Sequence, residues 1–166
     1  MVARVVQRYR EARVRRSAPL SVLELSIDVD ASPERVWEVI SDPRNLTRWD
    51  GHIVGVEGLP PDGLIAGSTY TVVVRFLGVT AHAECVVTDL DAPGHAEVEV
   101  EGVVEAKVQS WVTPLDSGGA RIHHRVDYRF PGGPLGTIAA QAFQMLGGSA
   151  ILRRGLQEQK RQAEEA

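Results

Sequence analysis

The sequence predicts an α+β domain in which a curved, seven-stranded antiparallel sheet wraps around a long C-terminal helix. Three observations predict it. From Leu20 to Phe130, short segments of alternating apolar and polar residues are separated by turn residues. Two helix-start signals follow the first of these segments. From Pro134 to Ala163, a single amphipathic segment has the 3.6-residue period of an α-helix.

The composition is that of an ordinary globular domain. The 166 residues are 43% hydrophobic and 24% charged, which is enough apolar material for one core. The single cysteine, Cys85, excludes an internal disulfide framework and a multi-cysteine zinc site. No apolar run approaches 18 residues, and no charged-then-apolar leader precedes the domain. We therefore expect a cytoplasmic protein.

The first 19 residues form a basic arm that differs from the rest of the chain. Residues 1–18 contain one acidic residue, Glu11, and carry a net charge of +5, whereas the whole chain carries −4. We expect the arm to end at Pro19 and one folded domain to span residues 20–166. Two interpretations of the arm remain: it is solvated or packs on the acidic domain, or it binds an anionic membrane or nucleic acid. Its basic residues are Arg4, Arg8, Arg10, Arg13, Arg15 and Arg16.

The first strand and two short helices open the domain. Alternation predicts a strand from Val22 to Asp30. Ser32 is a suitable N-cap and Pro33 a suitable first helical residue, so a helix should begin there. Asp42 followed by proline repeats this signal for a second short helix that ends near Trp49.

Six further strands are predicted after these helices. Strong turn signals separate them, and their hairpin order makes the sheet antiparallel. The predicted segments are His52–Val56, Ser68–Phe76, Val79–Leu90, Ala96–Glu101, Val103–Leu115 and Ala120–Phe130.

The last helix has one apolar stripe that only a sheet wrapped along it could bury. At nearly thirty residues the helix would be about 45 Å long. The pair Gly147-Gly148 interrupts it and indicates a kink or a close contact, which would leave space between helix and sheet. The stripe consists of Leu135, Ile138, Ala139, Ala142, Met145, Leu146, Ser149, Leu152 and Leu156.

This order of elements resembles the START-like, or Bet v 1-like (SRPBCC), superfamily with its helix-grip fold. Within it, the chain is most similar to the polyketide cyclase/dehydrase and lipid transport branch. The resemblance covers residues 20–160 and rests on three stretches, Ile27–Trp49, Val87–Pro93 and Asp116–Gly136. It implies a hydrophobic ligand held between the sheet and the last helix, and these motifs indicate the fold more specifically than the function.

Alternation within the strands identifies the side chains that would face this ligand. Small residues at several of these positions, opposite the glycines of the helix, leave room for a guest molecule. The predicted ligand-binding residues are Tyr70, Val72, Val74, Ala83, Cys85, Val98, Ala106, Val108, Ser110, His124, Val126, Tyr128, Ala142, Met145 and Leu146.

The few polar groups on this face are the feature that distinguishes a carrier from an enzyme. His124 is either a core histidine satisfied by a neighbour or a ligand-binding or catalytic residue, and burial should lower its pKa. Tyr70 and Tyr128 are either cavity wall or catalytic. The resemblance implies that ring-closing relatives use inward arginines and tyrosines, whereas the strand arginines here are predicted to face outward with other charged residues. These are Arg75, Arg121, Arg125 and Arg129.

The sequence thus favours a protein that binds a lipid-like or polyketide-like molecule as a carrier, sensor or binding protein. A polyketide cyclase or dehydratase is the first alternative, and a regulator or toxin that uses the basic arm to bind a partner is the second. An inward arginine would favour the cyclase, and a solidly filled interior would favour the partner-binding module. No phosphate loop, dinucleotide fingerprint or hydrolase elbow is present, and we expect no cofactor. His123 and His124 project to opposite faces, so we expect no metal, and no catalytic residue is assigned.

Overall fold

The structure is a computed structural model that describes residues 21–165, apart from the side chain of Leu135. Within that range it contains seven strands, four α-helices and one 3₁₀-helix. The basic arm and its predicted contacts lie outside the described residues. The elements are β1 (Ser21–Val29), α1 (Pro33–Ile40), a 3₁₀-helix (Pro43–Asn45), α2 (Leu46–Trp49), β2 (Ile53–Glu57), β3 (Thr69–Phe76), β4 (Val79–Asp91), β5 (His95–Gly102), β6 (Glu105–Pro114), β7 (Ala120–Arg129), α3 (Pro134–Met145) and α4 (Ser149–Glu164).

All seven strands belong to one antiparallel sheet in the order β1-β7-β6-β5-β4-β3-β2. From β2 to β7, each strand pairs with its neighbours in sequence, as expected for consecutive hairpins. The exception is β1, which pairs with β7 along its whole length, from Ser21 opposite Tyr128 to Val29 opposite Ala120. The sheet and its surrounding helices confirm the predicted fold class.

The helices after β1 begin where the sequence predicts. The hydroxyl of Ser32 accepts a hydrogen bond of 3.3 Å from the backbone N–H of Arg35, with Pro33 as the first residue of α1. The carboxylate of Asp42 caps the 3₁₀-helix in the same way, at 3.0 Å from the N–H of Arg44. The two caps satisfy backbone N–H groups that have no partner within their helices.

The C-terminal segment is divided into two helices rather than forming one continuous helix. Gly147 has a φ of +90° and Gly148 a φ of +51°, so neither residue is in the right-handed helical conformation. Helix α3 therefore ends at Met145 and α4 begins at Ser149. The glycine pair that predicted a kink produces a complete break.

Helix α4 is the better anchored of the two. Leu156 is only 5% exposed and belongs to a core cluster that also contains Val36 and Ile122. The indole N–H of Trp49 donates to Gln162 Oε1 at 2.9 Å, and Gln162 Nε2 donates to Asn45 Oδ1 at 2.9 Å. These contacts fix α4 against α2 and the residues before it.

The strand arginines lie on the sheet face opposite the helices, as predicted. Arg121 pairs with Asp28 at 2.6 Å, and Arg129 pairs with Glu105 at 2.6 Å. This face is less solvated than an array of exposed charges would be, because Arg129 and Glu99 are both buried. Among the described residues, no helix is both long enough and apolar enough to span a membrane.

Candidate ligand cavity

A cavity of about 410 Å³ lies between the sheet and the helices. This volume falls within the range of roughly 300–1,000 Å³ that is typical of small-molecule sites. The cavity is enclosed by alternate residues of strands β3 to β7, which is the arrangement that the strand pattern predicts. Twelve of the predicted residues line it: Tyr70, Val72, Val74, Ala83, Cys85, Val98, Ala106, Val108, Ser110, His124, Val126 and Tyr128.

The three predicted helix residues do not line the cavity. Ala142 is fully buried elsewhere, Met145 is 72% exposed, and Leu146 is half-buried at the C-cap of α3. The error follows from treating the segment as one helix, because the break at the glycine pair interrupts the stripe on which all three were placed. The C-terminal helices instead contribute Ala139 and Phe143 from α3 and Ile151, Leu152, Gly155 and Gln159 from α4, while α1 and α2 contribute Trp37, Ile40, Leu46 and Trp49.

A β-bulge adds a residue that strict alternation misses. The register between β4 and β5 shifts between Val87 and Asp89. Val87 lines the cavity at an odd-numbered position, and after the bulge Leu90 lines it at an even one, opposite Ala96. A bulge changes which positions face inward, and no residue type in this stretch reveals it.

The polar part of the cavity is a chain of three side chains. Ser110 on β6 lies directly opposite His124 on β7. The Ser110 hydroxyl donates to His124 Nδ1 at 2.8 Å, and His124 Nε2–H donates to Gln159 Oε1 at 2.8 Å. A neutral imidazole can accept at one nitrogen and donate at the other. Burial lowers the pKa of His124, which favours this neutral form at pH 7.

Gln159 is a polar lining residue that the sequence interpretation omitted. It is 8% exposed and lines the cavity from α4. It follows Leu152 by seven residues and Leu156 by three, so it lies on the apolar stripe of the helix. The sequence signal that could have identified it is an uncharged polar residue within an otherwise apolar stripe.

The other part of the cavity wall is aromatic. Tyr128 lies four residues after His124 on β7, so their Cα atoms are about 13 Å apart. The ring centroids of Tyr128 and Phe143 are 5.5 Å apart, and those of Phe130 and Phe143 are 5.6 Å apart. Phe143 thus packs α3 against the end of β7, and the polar chain and this aromatic cluster lie at different positions along one strand.

Tyr70 and Cys85 are cross-strand neighbours in the apolar wall. Burial raises the pKa of the Tyr70 hydroxyl above its usual range. Burial also raises the pKa of the Cys85 thiol to about 12. Both groups are therefore uncharged at neutral pH, and a thiol in this state is a poor nucleophile.

Positive side chains are missing from the cavity wall in the part of the chain that the structure describes. Among residues 21–165, no lysine or arginine lines the cavity, and Asp50 is the only acidic residue that does. Asp50 Oδ1 already accepts hydrogen bonds from the backbone N–H and ring Nδ1 of His52, at 2.9 and 2.8 Å. Within residues 21–165, no cluster of three or more histidine, cysteine or acidic side chains could hold a metal ion.

An antiparallel sheet that curves around an apolar cavity and is closed by C-terminal helices defines the helix-grip class of the START/Bet v 1 superfamily. The chain belongs to the polyketide cyclase/dehydrase and lipid transport family, whose sequence profile matches residues 22–164. This confirms the resemblance found in the sequence. No curated protein matches the chain.

Similar solved structures agree with this class. A START superfamily protein from Mycobacterium smegmatis is 18% identical, with a TM-score of 0.62 over 85% of this chain and 97% of that one. A conserved protein from Geobacillus kaustophilus is 22% identical, with a TM-score of 0.64 over 86% and 95%. The Zhui aromatase/cyclase from Streptomyces sp. R1128 is 17% identical, with a TM-score of 0.64 over 87% and 92%. At these identities the likeness establishes the fold alone.

Proposed function

We propose that this protein binds a hydrophobic small molecule in the cavity, as a carrier, sensor or binding protein. The observation that carries the proposal is the cavity lining, which is mostly aliphatic and aromatic and includes only a few polar groups. Sites for small molecules typically combine such walls with a small number of polar groups that orient the ligand. Here the chain of Ser110, His124 and Gln159 is suited to that orienting role.

The cyclase alternative lacks the feature that would favour it. A cyclase must stabilise a developing enolate, and an inward arginine would supply the positive charge. The four strand arginines lie on the opposite face, and no described lysine or arginine lines the cavity. The alternative would replace our proposal if His124→Ala abolished turnover of a polyketide-like substrate without weakening its binding.

The partner-binding alternative predicted a solidly filled interior. A cavity of about 410 Å³ is far larger than the occasional small voids of a close-packed core. The volume therefore supports a small-molecule guest over a purely structural core. The basic arm, on which this alternative depends, lies outside the described residues.

Titration with Nile red tests the proposal, because this uncharged dye fluoresces strongly only in apolar surroundings. We expect saturable binding of one dye per chain, and a loss of at least about tenfold in affinity in Val108→Trp. An indole at this lining position would occupy much of the cavity. Thr113→Trp is the matched control, because Thr113 lies on the same strand but is exposed and does not line the cavity.

Equal fluorescence increases in the two tryptophan variants would mean that the dye binds to the surface. The proposal would also fail if the wild-type protein showed no saturable increase. Melting curves of both variants establish that each remains folded.

A further inference from the structure

The Gln159 side chain has an unused hydrogen-bond donor. Its Oε1 atom accepts from His124 Nε2, but its Nε2 atom has no hydrogen-bond partner among residues 21–165. The side chain is 8% exposed and lines the cavity. Among residues 21–165, the fully buried side-chain atoms that lack a partner do not include Gln159 Nε2, so this atom keeps accessible surface. This donor is therefore available to a ligand.

The contact with His124 fixes the orientation of that donor. His124 Nε2 lies 2.8 Å from Gln159 Oε1, and an amide oxygen can only accept, so in the neutral ring the proton is on Nε2 and Nδ1 accepts from the Ser110 hydroxyl. Gln159 supplies its carbonyl oxygen to this proton. The NH₂ group of Gln159 is then not used by His124. This group can donate a hydrogen bond but cannot accept one.

The rest of the cavity is unsuited to a charged ligand. No described lysine or arginine could pair with a carboxylate there, and the carboxylate of Asp50 would repel it. Asp50 itself already accepts two hydrogen bonds from His52. Burying an ion without a counter-charge is far more costly than burying a neutral polar group that is hydrogen-bonded.

We infer that the ligand carries an uncharged oxygen, such as a ketone or ester carbonyl, which accepts a hydrogen bond from Gln159 Nε2. This inference rests on the proposed function and specifies its ligand class. The apolar part of the molecule would extend along the valine side chains of β6 and β7 toward Tyr128 and Phe143, away from the polar chain.

Three probes of matched shape test this inference by displacement of Nile red. They are 2-acetylnaphthalene, which carries a ketone, 2-isopropenylnaphthalene, which is the corresponding hydrocarbon, and 2-naphthoate, which is an anion at pH 7. We expect the ketone to bind about fivefold more tightly than the hydrocarbon, the effect of about one hydrogen bond. We expect it to bind at least about tenfold more tightly than the carboxylate, which would be buried without a counter-charge.

Two substitutions of Gln159 separate the hydrogen bond from general packing. Gln159→Leu removes both polar atoms, whereas Gln159→Glu, as a carboxylate, keeps an acceptor for His124 and has no N–H donor. Both should abolish the preference for the ketone over the hydrocarbon, which is measured as the ratio of the two affinities within each variant. Gln157→Leu is the matched control, because Gln157 is exposed on the same helix and should retain the wild-type preference.

The outcomes distinguish this inference from the proposed function. If Nile red binds but the ketone has no advantage, the carboxylate binds best, or none of the probes displaces the dye, the inference is wrong and the cavity proposal stands. The inference is equally wrong if both Gln159 variants keep the wild-type preference. If Nile red itself does not bind in a saturable way, the proposed function fails and the ligand class has no basis.

Discussion

Burial of His124 between Ser110 and Gln159 links the stability of the protein to pH. The folded state lowers the pKa of this histidine, chiefly by removing the ring from water. Above the ordinary histidine pKa of about 6.5, the ring is neutral in both the folded and the unfolded state, so the pKa shift does not change the free energy of unfolding. As the pH falls below that value, the unfolded chain binds the proton more readily, so the free energy of unfolding decreases.

We therefore expect the wild-type protein to lose more unfolding free energy between pH 7 and pH 5 than His124→Gln does. Urea denaturation at a series of pH values measures this difference. His82→Gln is the control, because His82 is exposed on β4 and its replacement should leave the wild-type pH dependence unchanged. Identical pH dependence in the wild-type protein and His124→Gln would contradict the account of this side chain.

The residues that sequence reasoning identified and those it omitted differ in a physical way. Strict alternation identifies twelve strand residues that line the cavity, because a pleated strand directs alternate side chains to opposite faces. It could not place Leu90, because the bulge in β4 has no distinctive residue. The predicted stripe consists of apolar and small residues and therefore leaves out Gln159, although this buried amide, which bonds to His124, also lies on it.

At the scale of the elements, the break between α3 and α4 has the largest effect on the site. The glycine pair signalled the break, but the sequence did not reveal how far it would turn one helix from the other. The polar contacts of α4 with Trp49 and Asn45 depend on residues more than 100 positions away along the chain. Such tertiary contacts cannot be read from local periodicity, which explains why the helical side of the cavity was predicted less well than the strands.

Two glycines in the C-terminal segment should respond in opposite ways to the same substitution. Gly147→Ala should destabilise the protein by about 1–2 kcal/mol, because its positive φ is unfavourable for any residue with a Cβ atom. Gly155→Ala should instead stabilise α4 by up to about 1 kcal/mol, because alanine has the higher helix propensity. A Cβ atom at Gly155 would meet Trp49 O at 3.6 Å, which is ordinary van der Waals contact.

Thermal and urea unfolding of the two variants test this pair directly. The paired design controls for the added methyl group, since both variants gain the same atoms. Equal destabilisation by both substitutions would show that Gly155 packs more closely than the structure indicates, whereas stabilisation by Gly147→Ala would show that a helix continues through the break.

At the scale of the whole molecule, the two C-terminal helices have different roles around one cavity. Helix α4 joins the core cluster through Leu156 and fixes the sheet to α1 and α2. Helix α3 closes the remaining side through Ala139 and Phe143, which pack on the second cluster and on the aromatic end of β7. The sheet, α1, α2 and α4 thus share one core cluster, and α3 covers the remaining side of a largely apolar interior.

Native mass spectrometry after incubation with a total lipid extract tests the central claim most directly. We predict one small molecule bound per chain in the wild-type protein and in Thr113→Trp, and a much smaller bound fraction in Val108→Trp, whose cavity is reduced. Bare protein masses in all three samples, or equal adducts in all three, would contradict the claim that the cavity binds a hydrophobic ligand.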